Sequence, residues 1–274
     1  MRTPARRSLF KYLLCLIIGL IIVSPLIYAA MAASMTAAEL GEYPPRFLPS
    51  SFRLDNYLHT LDAMPMFTFL RNSFIVCLIV IVAQVITCSL AAYAFSYFKF
   101  RGRGLLFMLV LSTMMIPSEA TIISNFLTIT QLHLTDTYLG LVFPYLTSAM
   151  GIFLMRQFYL TVPLEIKEAS VIDSCSDMRF LFSVLMPIST PIVASLSVYV
   201  FINTYNQFMW PLLVTNQMNM RTIQIGMSML REAEAVRYEN VLAGAVLVLI
   251  PSVFVFIVGQ RYLVKGMTAG AVKG

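Results

Sequence analysis

The stretch Glu165-Ile166-Lys167-Glu168-Ala169-Ser170-Val171-Ile172-Asp173-Ser174-Cys175-Ser176-Asp177-Met178-Arg179-Phe180 decides the reading of this chain. It holds four of the thirteen acidic residues of a protein that is 59% hydrophobic, and long apolar runs flank it on both sides. A polar segment this short is no domain, and its charges are too costly to lie in lipid. It is expected to protrude from one membrane face as a docking element. Thr161 is placed to cap a helix and Pro163 suits a first turn, while Glu165 and Glu168 set negative charge near the positive end of the dipole. Leu164, Ile166, Ala169, Val171 and Ile172 leave a mixed surface, which predicts a helix lying flat with one side free for a partner. The local expectation is two short elements meeting at Ser174, followed by Phe180, Met186-Pro187 and Pro191 at the start of the next apolar run.

Outward from this island, the composition admits one broad class. With 274 residues, a mean hydropathy of +0.81 and only 12% charged residues, the chain cannot hide its apolar surface in one water-soluble core. It reads as an all-α integral membrane protein. Six apolar runs are expected as spans, at about 12–33, 69–98, 104–127, 138–159, 185–214 and 240–263, within one transmembrane domain covering 1–274. The first, at ~1.5 Å per residue, covers ~33 Å. Ala30-Met31-Ala32 also resembles a signal-peptide cleavage site, but the run exceeds the roughly 7 to 15 residues of a signal core and favours a retained span. The third is interrupted at Pro117, beside Glu119.

Basic residues orient the spans. With the N-terminus inside, Arg2, Arg6, Arg7, Lys11, Lys99, Arg101, Arg103, Arg156, Lys167, Arg179, Arg261, Lys265 and Lys273 all fall on the inner side. That leaves six of the nineteen outside, so the positive-inside rule puts both termini and the charged loop in the cytoplasm. The net charge of +6 is therefore read as topology, and no nucleic-acid partner is expected.

Glu168-Ala169-Ser170, then Ser174, then Val184 and Met186-Pro187 resemble a signature of the permease subunits of bacterial binding-protein-dependent ABC sugar importers. That signature runs Glu-Ala-Ala, three residues, Gly, nine residues, an aliphatic residue, one more, and a Leu-Pro-like pair. Tyr205-Asn206-Gln207-Phe208-Met209-Trp210-Pro211-Leu212-Leu213 and the ending from Gln260 to Gly274 also resemble the six-span carbohydrate-uptake branch, the maltose and glycerol-3-phosphate type. The chain departs from the pattern at Ser170 and Ser174. A glycine at the second position suggests a left-handed turn, which costs any other residue roughly 1 to 2 kcal/mol. The resemblance implies the type I importer fold, with a coupling loop at 161–182 between the fourth and fifth spans. It implies that Glu168, Ala169, Ser170, Asp173, Ser174, Phe180 and Pro187 serve coupling to an ATPase. It further implies a second homologous permease subunit, two ATPase subunits, an extracytoplasmic solute-binding protein and a place in the bacterial cell membrane. ATP and Mg are then expected on the ATPase, with no cofactor on this chain.

The residues agree with a non-enzymatic role. No G-x-x-x-x-G-K-S/T loop occurs, so energy must come from another chain. His59 and His133 lie in different loops without metal-binding spacing, and no metal site is expected. Glu119 reads as part of a polar translocation path, as a partner for a cation on the other permease subunit, or as a hydrated residue near the outer interface beside the kink at Pro117. Asn203, Tyr205, Asn206, Gln207 and Trp210, with Tyr145 and Ser148, either hydrogen-bond and stack on a sugar or bond between helices with an interfacial Trp anchor. The resulting function is half of a translocation pathway for a carbohydrate or sugar-like solute, such as an oligosaccharide or glycerol 3-phosphate. The alternative is an ion-coupled secondary carrier using Glu119, which needs paired broken helices in internal repeats.

Overall fold

The computed structural model describes the backbone of residues 5–234 and 237–268 and the side chains of 11–234 and 237–261. Arg2, Lys265, Lys273 and the last residues of the carbohydrate-branch ending therefore lie wholly or partly outside the described residues. Every regular element described is helical.

An apolar rod, α1 (Ala5–Ala32), leads to the short α2 (Ala37–Leu40), α3 (Asp55–Ala63) and the 32-residue α4 (Met66–Tyr97). Next come α5 (Arg103–Ser112), a 3-10 turn at Thr113–Met115, and α6 (Ser118–Gln131). The helix α7 (Tyr138–Val142) runs through a 3-10 turn, Phe143–Tyr145, toward α8 (Ala149–Tyr159). Then follow α9 (Leu164–Ile172), α10 (Asp177–Phe180), a π-helical turn at Leu181–Leu185, α11 (Met186–Ile188) and α12 (Thr190–Tyr205). The chain closes with α13 (Met209–Val214), α14 (Ile223–Ala233) and α15 (Tyr238–Thr268).

Among the described residues, Lys11–Ala32, Met66–Tyr97 and Tyr238–Arg261 are single helices long and apolar enough to cross a membrane. Three more candidates are bent pairs: Arg103–Met115 with Ser118–Gln131 at 96°, Tyr138–Tyr145 with Ala149–Tyr159 at 53°, and Asp177–Ile188 with Thr190–Tyr205 at 81°. Only the first of these breaks is expected from the sequence. Pro117 ends α5 and its 3-10 extension and caps α6, and Pro191 opens α12 just after Ser189, because a proline ring withholds the N–H that a continuing helix needs. The fifth apolar run is thus no straight rod from 185 to 214, since it bends at Ser189 and stops at Asn206, before α13.

A helix break in an apolar setting frees carbonyls that need partners. Those between α7 and α8 find them on α4. Gln84 Nε2 donates to Tyr145 O at 2.8 Å, Thr87 Oγ1 to Leu146 O at 2.8 Å, and Cys88 Sγ to Ser148 O at 3.5 Å. Residues 84, 87 and 88 share one helix face, so a single stripe of α4 covers the break. Ser148 caps α8 by accepting from Gly151 N at 3.0 Å and donates to Gln84 Oε1 at 2.9 Å. A Cβ on Gly151 would lie 2.7 Å from Cys88 Sγ, so glycine lets α8 approach α4 this closely.

The chain falls into two compact units. One contains the described residues up to Met66 together with Gly226–Pro251. Here Asn56 Nδ2 donates to Ala33 O at 2.8 Å and Met35 O at 2.9 Å, and Thr60 Oγ1 donates to Asn240 O at 3.0 Å. Thr36 and Glu39 form a reciprocal capping box at α2. Glu39 also accepts from the Ser50 amide and hydroxyl, and the Ser50 hydroxyl together with the Thr36 amide holds its carboxyl down at about 2. The other unit runs over Phe67–Ile225 and resumes at Ser252. Its core joins Val80, Tyr93, Leu141, Met155, Tyr159, Phe180, Leu185, Leu196 and Trp210, all nearly or fully buried. In lipid, such packing stabilises through van der Waals contact rather than exclusion of water.

Candidate functional site

Two places in the second unit collect the residues that the sequence singled out. The first is the charged loop. Pro163, not Thr161, precedes α9, and Thr161 Oγ1 instead donates back to Phe158 O at 2.7 Å beyond the end of α8. A proline fits there because the first helical amides need no intrahelical acceptor. Along α9 the exposed positions are Leu164, Glu165, Glu168, Ala169, Val171 and Ile172. Val171 and Ile172 are 61% and 84% exposed, unusual for large apolar side chains beside charged ones. The opposite face, Ile166, Lys167 and Ser170, turns inward, and Ser170 Oγ donates to Lys167 O at 2.6 Å.

That inward face is held by a clamp. Lys167 Nζ lies 2.6 Å from Asp177 Oδ1, which also accepts from Tyr93 OH of α4 at 2.6 Å. The Lys167 ammonium sits 4.6 Å from the centroid of the Phe180 ring, a cation–π distance. Phe180 itself is fully buried, edge-on to Tyr97 at 5.9 Å and tilted on Tyr93 at 6.2 Å. Phe180 therefore anchors the loop to α4 from below rather than offering a contact outward. Asp173 and Ser174 are exposed at the turn, where Ser174 takes φ 53°, the left-handed conformation suggested by its glycine-like position. Pro187 lies within α11, two residues before the bend at Ser189. Its neighbour Met186 accepts from Ser89 Oγ of α4 at 3.1 Å.

The second place is a cavity of about 640 Å³. Glu119, Tyr145, Asn203, Gln207 and Trp210 line it together, although they come from α6, the 3-10 turn at Phe143–Tyr145, α12, the link after it and α13. Tyr145 and Trp210 meet edge to face, centroids 6.2 Å apart, and Trp210 Nε1 donates to Leu141 O at 3.1 Å, so the indole is fixed from behind. Tyr205 and Asn206 are not in the lining. Tyr205 is buried and stacks on Phe201 at 5.3 Å, and Asn206 Nδ2 caps the end of α12 by donating to Ile202 O at 2.8 Å. Positions 199 and 203 share a face of α12 that 205 does not, and Gln207 reaches the cavity from the link that follows the helix.

Sequence reasoning missed Gln84, Ser118, Thr121, Asn125 and Thr204. Two signals were present. Gln84 is an amide in the middle of an otherwise apolar run, and 118, 121 and 125 repeat at helical spacing after Pro117. Among the described residues, no cluster of His, Cys, Asp or Glu could hold a metal ion.

A multi-helix membrane protein with broken spans around a cavity that carries several amides and a carboxylate, and a charged foot clamped to one long helix, has the layout of a transporter subunit. The family described as binding-protein-dependent transport system inner membrane component matches residues 84–269, and this chain belongs to it. Among its relatives, the sn-glycerol-3-phosphate transport system permease protein UgpE of Brucella melitensis is 36% identical over 264 residues, covering 93% of this chain and 94% of that one. The arabinooligosaccharides transport system permease protein AraQ of Halalkalibacterium halodurans is 32% identical, covering 94% and 93%. A crystal structure of a bacterial ABC transporter involved in the import of the acidic polysaccharide alginate contains a chain of the same fold. It has a TM-score of 0.79, 22% identity, and coverage of 96% of this chain and 99% of that one.

The fold is thus the type I importer permease fold, and the chain is a permease subunit of an ABC importer, multi-pass in the inner membrane and not an enzyme. Family membership implies an ATPase and a solute-binding protein as partners in general terms. The ion-coupled carrier alternative is displaced by it.

Proposed function

We propose that this chain is a single six-span permease domain, both termini cytoplasmic, forming half of a translocation pathway beside a second, homologous permease subunit. Two ATPase subunits carry the ATP and Mg, and this chain binds no cofactor. Residues 161–182 act as the coupling loop. Glu168, Ala169 and Asp173, with Val171 and Ile172, form the face that seats on an ATPase, while Ser170, Ser174, Phe180 and Pro187 hold that face in register. The cavity at Glu119, Tyr145, Asn203, Gln207 and Trp210 lines the path of a carbohydrate or sugar-like solute.

One observation carries the reading: α9 is tied down by Lys167 and Phe180 on one side and leaves a mixed acidic and apolar face uncovered on the other. A helix gripped by its own chain on one face passes on a displacement delivered to the other. The test replaces Glu168 with Lys and Ala169 with Trp in the assembled complex. Uptake is expected to fall at least tenfold, and loaded binding protein is expected to stop stimulating ATP hydrolysis, with the complex still purifying intact. Unchanged transport in both variants rejects the proposed role.

A further inference from the structure

We propose that the cavity selects neutral, hydroxyl-rich solutes and disfavours those bearing phosphate or carboxylate groups. This rests on the importer reading above and narrows it. Seventeen of the described residues line the cavity; among these Glu119 is the one formal charge, and none is Lys, Arg or His. An anion moving from water to this wall would lose hydration without gaining a cation, and would face a carboxylate of its own sign.

The N-terminus of α6 does not reverse that balance. Glu119 stands in the first turn of this helix, where its own carboxylate complements the positive end of the dipole, and it accepts from Ser118 Oγ at 3.0 Å. The rest of the wall suits alcohols. Gln84, Asn125, Asn203 and Gln207 carry amides that both donate and accept, as a sugar hydroxyl does. Tyr145 and Tyr199 add ring surface for the C–H faces of a pyranose or furanose. The expected preference differs from the cargo for which some relatives are named, sn-glycerol 3-phosphate, which is anionic.

The test uses the whole complex, with ATPase, second permease and binding protein, in liposomes. Uptake of tritiated arabinotriose, maltotriose and sn-glycerol 3-phosphate is followed with ATP or a non-hydrolysable analogue inside. ATP-dependent uptake of at least one neutral probe is expected at tenfold or more the rate of the phosphate ester. Glu119→Lys is expected to lower that ratio at least threefold, and if it does not assemble, Glu119→Gln is read instead, with at least a twofold fall. Faster uptake of the phosphate ester, uptake of neither neutral probe, or a ratio indifferent to residue 119 overturns the inference while ATP-dependent transport leaves the importer reading standing. Accumulation independent of ATP would defeat the importer reading itself.

Discussion

Ser174 holds a left-handed backbone at φ 53° between α9 and α10. That conformation costs an L-residue about 1 to 2 kcal/mol, and glycine adds an unfolded-state entropy penalty of roughly 0.5 to 1 kcal/mol. The first term is the larger, so Ser174→Gly is expected to stabilise the chain by up to about 1.5 kcal/mol, and Ser174→Val to destabilise it, since a β-branched residue fits that region worst. Thermal melting of the two purified variants beside the parent checks the sign of both. Glu39 supplies a second residue-scale prediction. Its carboxyl titrates at about 2 when folded against an ordinary 4.5, so its contribution to stability is complete above pH 4.5 and is lost as pH falls toward 2. Glu39→Gln is expected to melt lower than the parent at pH 7, with the gap closing on acidification. A gap independent of pH between 7 and 3 contradicts the assignment.

At the scale of elements, the tie between α9 and α4 separates holding from docking. Tyr93→Phe removes one hydrogen bond to an ionised acceptor, worth about 1.5 to 3 kcal/mol, and Lys167→Met removes the ion pair and the cation above Phe180. Neither touches the exposed face of α9. The expected outcome is a complex that assembles and hydrolyses ATP but moves less solute per ATP, with Lys167→Met the more severe. The ratio of solute imported to phosphate released in proteoliposomes measures it, and an unchanged ratio in both variants would falsify the clamp as a force-bearing link.

On the scale of the molecule, the long apolar runs were legible because hydropathy is a sum over twenty residues and tolerates local error. The breaks in the fourth and fifth runs were not. The fourth depends on partners far along the chain, such as Gln84 for the Tyr145 carbonyl, which no local window contains; the fifth had a local mark in Pro191, which reads from sequence as the start of the run. The cavity was half legible for the same reason: Asn203 and Gln207 stood out as amides in an apolar run, whereas Ser118, Thr121 and Asn125 lie on α6, which enters the cavity wall only after a 96° bend. Phe180 and Lys167 carry a related lesson. A motif records positions, and only packing tells which of them face a partner and which grip the parent chain.

Sidedness is tested with thiols. Cys77 and Cys88 are buried, Cys15 lies on α1, and Cys175 is half-buried beside α9. In a Cys15→Ser background, a membrane-impermeant maleimide is expected to label Cys175 in inside-out vesicles and not in intact cells. Labelling from outside the cell would invert the proposed topology.

The cavity wall is open on this chain, and it carries a carboxylate and several amides that acyl chains cannot solvate. If a second permease subunit covers that wall, as proposed, each chain shields the other's polar groups, Glu119 among them, from the acyl chains.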